Sequence, residues 1–458
     1  MTTSTANLRG QAQAHLLPHF TRATTWRDDN LPVIVRGDGA YVFDDQGRRY
    51  LDGLSGLFCV NMGHGRSDIV AAASQQMQQL AYWTNWSATH PSAVEAATLI
   101  ADLAPDGLGT TFFVSSGSEA VESALKFTRQ FHLSQGNKQR VKFIARDMAY
   151  HGTTMGALSV TGIDRFKTPF GPLLADVRHF PNTHGEKIPA GGTAADLPSI
   201  QGLLRIIEEE GPETIAAVIA EPVQNSGGAL VPPEGYWQEL RAICDRAGCL
   251  LIADEVITAF GRVGQWFGST RFGAEPDLIT FAKGVTSGYA PLGGVLIRDN
   301  LVGALMDSPS AGMFSHGGTW GGHPVSTAVA VANLTAVRDE GILNNVRTLE
   351  TTLQNGLNTI QANHPCVKEW RGTGFLYVLE FTRDRHSGRE LSSVEAETIV
   401  RKILPEAMKR TNLLTRADDR GGTMLVLSPP LMANQEVVHD LLSGVDGVVT
   451  AVEEYLGQ

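Results

Sequence analysis

Asp254 and Lys283 are the residues of this 458-residue chain best placed to do chemistry. They close two apolar runs, LLIA and LITFA, within the stretch Leu250 to Gly284. Short apolar runs beside turn residues read as buried strands of a parallel sheet. In open parallel sheets, ligands sit at the carboxyl ends of the strands, where both charges fall. A lone carboxylate or ammonium at that depth is costly unless something pairs with it. The chain has nine lysines, and a lysine is seldom fully buried without a partner. A ligand with a basic ring nitrogen and an electrophilic carbonyl would pair with both groups.

Pyridoxal phosphate has that nitrogen and that carbonyl, and it also needs a phosphate site. Ser115-Ser116-Gly117-Ser118-Glu119 lies between a strand and a helix start. Serine hydroxyls and free N–H groups at a helix N-terminus hold phosphate well. The plainer alternative is an ordinary N-cap with Glu in the first turn. Tyr150-His151-Gly152 offers aromatic rings to a pyridine face, or is simply a turn. Tyr82, Trp83 and Trp86 are either core packing or the apolar wall of a substrate pocket. No GxGxxG follows a strand anywhere, which counts against a dinucleotide enzyme.

The elements that must position these residues are legible in outline. Ala40 to Asp52 reads as a hairpin turning at Asp-Gln-Gly. A glycine-rich loop (53–66) carries Phe58 and His64, and a helix follows in DIVAAASQQMQQLAYW. From Thr111 the chain alternates strand and helix: TFFV, AVESALKFTRQF, VKFIA, IAAVIAEPV, CLLIADEV and DLITFAK. That alternation is the sequence form of a doubly wound parallel sheet. Residues 182–199 are polar and glycine-rich, an expected exposed loop. After Pro324 come a helix and then an α+β lobe carrying the strands GFLYVLEF and TMLVLSP, joined by the N-terminal hairpin.

The length suits two or three lobes. Apolar content of 42% with 19% charged residues fits a globular chain. A net charge of −11 argues against nucleic-acid or acidic-membrane partners. The four cysteines show no metal spacing, and Cys244 and Cys249 read as buried free thiols beside a helix end. MTTSTANLRGQAQAHLLPHF lacks a signal-peptide core, and no apolar run nears the roughly 20 residues that span a bilayer. A soluble cytoplasmic protein is expected.

With these residues in hand the chain resembles the class III aminotransferases, pyridoxal-phosphate enzymes of fold-type I, and in particular the ω-amino acid or amine:pyruvate transaminases. The resemblance runs from about residue 17 to the end. It rests on LFCVNMGHGR, SGSEAVESALK, AYHGTTMGALS, EPVQNSGG, LLIADEVITAFGR, TFAKG and GGTWGGHP, in that order. It implies an α/β large domain, with a mostly parallel sheet between helices, over residues 61–325. A smaller α+β domain is implied from residues 1–60 and 326–458.

The resemblance also implies roles. Lys283 is the Schiff-base lysine and proton shuttle. Asp254 pairs with the pyridine nitrogen, Val256 packs on the ring face opposite Tyr150, and His151 is counted among the cofactor-binding residues. Ser116, Gly117 and Ser118 hold the phosphate, with Thr319 added from the neighbouring subunit of a homodimer or tetramer of dimers. Glu221 supports the cofactor surroundings or the substrate-binding arginine. Phe58, Trp86, Tyr150 and Ser226 line the pocket. Arg416, in a polar loop before TMLVLSP, binds a substrate carboxylate, although Arg420 is near enough in sequence to take that part. Val121, GRVG and Gly318 depart from the family's commoner residues, and Gly318 bears on how much bulk the pocket accepts. The implied reaction moves an amino group from an ω-amino acid or primary amine to a keto acid, with pyruvate the expected acceptor. An aminomutase, racemase or decarboxylase on the same fold is the alternative.

Overall fold

The computed structural model describes residues 5–27, 31–310 and 312–457. At its centre is a seven-stranded sheet. Its strands, in spatial order, are Thr110–Val114, Gly293–Ile297, Leu278–Phe281, Leu250–Asp254, Ile215–Ala220, Lys142–Arg146 and Val177–Phe180. The last five run parallel. Gly293–Ile297 is antiparallel to both of its neighbours, so the sheet is mostly parallel rather than wholly so. This strand and Val177–Phe180 are not among the strands expected from the sequence.

Ile215–Ala220 is buried at every position, as a central strand covered on both faces must be. Its period of two survives in the packing. Val218 and Ala220 join one apolar cluster with Leu251, Ala253, Ile279 and Phe281. Ala217 and Ile219 join the other with Leu250, Ile252, Leu278 and Val295. Helices Pro198–Glu210 and Tyr236–Ala247 cover the first face, and Gly117–Ser134 covers the second. Each fully buried Val, Leu, Ile or Phe contributes ~1.5–3 kcal/mol relative to exposure.

The expected hairpin forms as Tyr41–Asp44 and Arg49–Asp52, with a further strand, Ile34–Asp38, on its outer edge. Leu413–Leu414 pairs parallel with Leu51 and Asp52, which fastens the N-terminal hairpin to this C-terminal strand. A second four-stranded sheet takes Val367–Thr373, Leu376–Phe381, Met424–Leu427 and Arg416–Asp418 in that order. Arg416 is therefore in a strand and not in the polar loop expected from sequence. Two long helices, Ile342–Asn363 and Gln435–Leu456, complete this lobe's core.

The helix expected through Trp83 ends at Gln79, and the aromatics follow it on an exposed loop. The 182–199 loop is largely exposed, pinned by Thr183, Ala194 and Leu197. All four cysteines are free, Cys244, Cys249 and Cys366 being buried. Arg262, fully buried, ties the lobes together. Its Nη1 donates to the carbonyls of Phe375 (3.1 Å) and Pro429 (2.6 Å). Its Nη2 donates to Ser55 Oγ (3.2 Å) and Asn61 Oδ1 (2.8 Å). Among the described residues no helix is long and apolar enough to cross a membrane.

Candidate active site

The strand order brings one set of chain ends together. Ser116 follows Thr110–Val114, Tyr150 and His151 follow Lys142–Arg146, and Glu221 follows Ile215–Ala220. Asp254 ends its strand, and Lys283 lies two residues beyond Leu278–Phe281. All five strands point the same way, so these residues share the carboxyl edge of the sheet, where ligands of such folds bind.

Asp254 is 5% exposed. Its Oδ2 lies 2.7 Å from His151 Nδ1, and its Oδ1 accepts from Thr280 Oγ1 (3.1 Å) and the Val256 amide (3.1 Å). His151 thus holds the aspartate through its ring edge. Its Nε2 is buried and has no hydrogen-bond partner among the described residues. Glu221, also buried, accepts from the amides of Tyr150 (3.3 Å) and Asn225 (3.1 Å). Burial pushes its carboxyl up from the ordinary carboxylate range. Burial likewise raises the Tyr150 phenol.

Ser116 caps the helix Gly117–Ser134, its Oγ accepting from the Glu119 amide (3.3 Å). Glu119 in turn accepts from the Ser115 amide (2.7 Å). The capping reading of SSGSE is therefore correct, and it leaves the first helical N–H groups, at Gly117 and Ser118, facing outward. Two glycines make the cradle. A Cβ on Gly117 would lie 2.8 Å from Val256 Cγ1, and one on Gly152 would lie 2.4 Å from Ser118 Oγ. Backbone and Val256 meet here as closely as glycine permits.

Lys283 opens a short 3-10 turn with φ +43°, a left-handed conformation that is costly for a lysine. Tertiary structure thus forces the residue out of the strand and aims it. No hydrogen bond or ion pair engages its Nζ among the described residues. Burial pushes the ammonium below its usual 10.5, against the pull of Asp254 and Glu221.

The expected substrate residues divide. Phe58 is buried, with the Arg416 guanidinium 5.2 Å from its ring centroid. Ser226 is buried in the loop after Glu221, and its Oγ has no partner among the described residues. Trp86 (65% exposed) and Thr319, by contrast, lie at the surface. There Trp86 lies against Gly317, and the Thr319 carbonyl accepts from Tyr82 (2.9 Å). No ring contact or hydrogen bond joins Trp86 or Thr319 to the other site residues among the described residues.

Arg416 and Arg420 converge on one carboxylate, Asp418, which the sequence reading passed over. Arg420 Nε lies 2.8 and 3.0 Å from its two oxygens, and Arg416 Nη2 lies 3.0 Å from Oδ2. Burial and then Arg420 push Arg416 down to about 10. Thr280 was also missed, although a lone hydroxyl inside the run LITFA is a readable signal for a buried polar partner.

A sheet of this order with a smaller α+β lobe, and with a lysine and an aspartate at its carboxyl edge, defines a fold-type I pyridoxal-phosphate enzyme. The family model for aminotransferase class-III matches residues 23–449, and the chain belongs to that family. It is 42% identical to a probable aminotransferase of Mycobacterium tuberculosis over 88% of this chain and 86% of that one. It is 37% identical to the putrescine–pyruvate aminotransferase of Pseudomonas aeruginosa, over 94% and 92%. The ω-transaminase of Pseudomonas jessenii, solved in complex with PMP, superposes with a TM-score of 0.92 at 32% identity, covering 98% of this chain and 99% of that one. The protein is an aminotransferase that depends on pyridoxal phosphate and passes an amino group to a keto acid.

The residues present fit that cofactor. A buried carboxylate, an unpartnered amine and an open helix N-terminus over a glycine cradle offer complements to a pyridinium, a carbonyl and a phosphate. When bound, the cofactor supplies a carbonyl for the amine and an electron-withdrawing ring.

Proposed function

We propose that the enzyme takes amino groups from a primary amine or ω-amino acid and gives them to pyruvate. Two guanidinium groups share the single carboxylate of Asp418, and this carries the reading. One positive charge is left over beside the apolar ring of Phe58. Such a site accepts a small carboxylate, and an uncharged group can lie on the ring instead. The relative named for putrescine and pyruvate supports the same pair of substrate classes.

In this reading Asp254, held by His151 and Thr280, would keep the cofactor's ring nitrogen positively charged. Gly117 and Ser118 amides and the Ser116 and Ser118 hydroxyls would hold the phosphate, and Val256 and Tyr150 would enclose the ring. Lys283 Nζ takes the proton from the substrate carbon and returns it. Burial favours its neutral form, which a base requires. Arg416 pairs with the substrate carboxylate in one half-reaction and yields in the other.

Trp86 and Thr319 bear on assembly. Tyr82 and Trp320 are exposed and pack edge to face, and exposed Trp86 lies against nearby Gly317, an apolar surface of the kind that marks an interaction. A homodimer or a tetramer of dimers would cover it and bring Thr319 to the partner's phosphate site. Free cysteines throughout suit a reducing, cytoplasmic setting.

The test is to measure both half-reactions separately in Arg416→Ala. Pyruvate should lose affinity and rate, since a bidentate charge-assisted contact is removed. A plain amine should react almost as before. Equal losses with both substrates would overturn the reading.

A further inference from the structure

Arg420 and Asp418 form a fixed unit beside the substrate arginine. Arg420 grips both oxygens of Asp418 through Nε, adds Nη2 to Oδ2, and donates its own amide to Oδ1 (2.9 Å). Its carbonyl accepts from the Gly227 amide (3.1 Å), which fastens it to the loop carrying Ser226. The neighbouring Asp419 is taken by Arg165 and by Arg22 (3.6 Å), so it offers Arg416 nothing.

Arg416 is held quite differently. It and Asp418 are two apart on one strand, which places both side chains on one face. Its Nη2 is 3.0 Å from Asp418 Oδ2, yet Nε and Nη2 are buried with no hydrogen bond. The aspartate's lone pairs already face Arg420. Were Arg420 absent, both Asp418 oxygens would be free to take Arg416 in a bidentate pair, and the local charge would fall from +1 to zero.

We propose that Arg420 is a positioning residue: by engaging both oxygens of Asp418 it leaves Arg416 only a shared contact with Oδ2 and an excess positive charge, and so sets the preference for carboxylate-bearing acceptors. The proposal rests on the reading of Arg416 as the carboxylate partner. It assigns to Asp418 the part of an internal competitor for the substrate, held off by Arg420.

The test compares Arg420→Gln with the double variant Asp418→Asn/Arg420→Gln in the cofactor-loaded enzyme. In the single variant Asp418 should capture Arg416. The KM for pyruvate and the inhibition constant of propanoate, an unreactive carboxylate, should rise about tenfold, as expected when a charge-assisted contact is diverted. The kcat and the single-turnover rate with a plain amine should change by less than about threefold, within the scatter of a substitution away from the reacting atoms. The double variant restores the +1 charge on Arg416 and should return both constants to near their starting values. An unmoved KM in Arg420→Gln overturns the proposal, as does a double variant no better than the single. If Arg420→Gln does not fold, Asp418→Asn alone should tighten propanoate, and unchanged or weaker binding overturns it. Arg416→Ala is run alongside. If it impairs pyruvate and plain amine alike, the reading of Arg416 itself falls; if it impairs only pyruvate, a failure in the Arg420 variants belongs to this proposal alone.

Discussion

His151 Nδ1 lies 2.7 Å from Asp254 Oδ2, with both side chains buried. The pair is an ion contact only when the imidazole is protonated, and in either state it fixes the carboxylate's rotamer. With Thr280 and the Val256 amide on Oδ1, Asp254 is constrained on both oxygens. A charge aimed at a ring nitrogen gains its effect from being fixed before the reaction begins.

Asp254→Asn keeps the shape and removes the charge, so proton abstraction should slow by ~10²–10³, the usual cost of losing one preorganised charged contact. His151→Ala leaves Thr280 and Val256 in place and should cost less, about tenfold. Rapid-mixing measurement of the amine half-reaction ranks the two. A near wild-type rate for Asp254→Asn would reduce that residue to a structural part.

Lys283→Ala should retain the fold while losing the borohydride-reducible bond to the cofactor. Turnover should fall by at least ~10²–10⁴, the contribution of a positioned acid–base group. A reducible bond that persists would place the anchor at another lysine. The cofactor-free protein gives a second readout. Because burial lowers the folded-state pKa of Lys283 below 10.5, the unfolded chain binds the proton more tightly at neutral pH, and folding is penalised there. Lys283→Met should therefore raise Tm at pH 7, and the gain should fade as pH climbs towards 10.5.

Two inactive variants, one at Lys283 and one at Thr319, should complement each other in part when refolded together, because a mixed dimer holds one intact site. Thr319 lies exposed beside Trp320 and the Tyr82 hydroxyl, so the role proposed for it requires a second copy. A fully active monomer by ultracentrifugation under assay conditions would rule out the shared site.

His179 supplies an acid limit. Burial, and then Lys167, push its pKa from 6.5 to about 4. Between those values the unfolded state binds a proton that the folded state refuses, so stability falls as pH drops through this window. Replacing His179 by Phe should flatten the dependence of Tm on pH between about 4 and 6.5. An unchanged slope would assign the acid sensitivity to other groups.

What the sequence determined by itself was the machinery carried by local pattern. Apolar runs ending in Asp254 and Lys283, and the cap SSGSE, mark strand ends and a helix start because burial and capping act within a few residues. The parallel order of the central strands followed from the same alternation. Only the tertiary structure decided what depends on segments far apart in the chain. Gly293–Ile297 lies antiparallel between Leu278–Phe281 and Thr110–Val114, the latter from far earlier in the chain. His151 became the partner of Asp254 across 103 residues, where a turn of three polar and aromatic residues carries no sign of its target. That Arg416 and Arg420 meet on Asp418, Arg420 on both oxygens and Arg416 on one, is a matter of distances and not of residue type. Trp86 and Thr319 end on the surface of the single chain, a placement that no local pattern encodes.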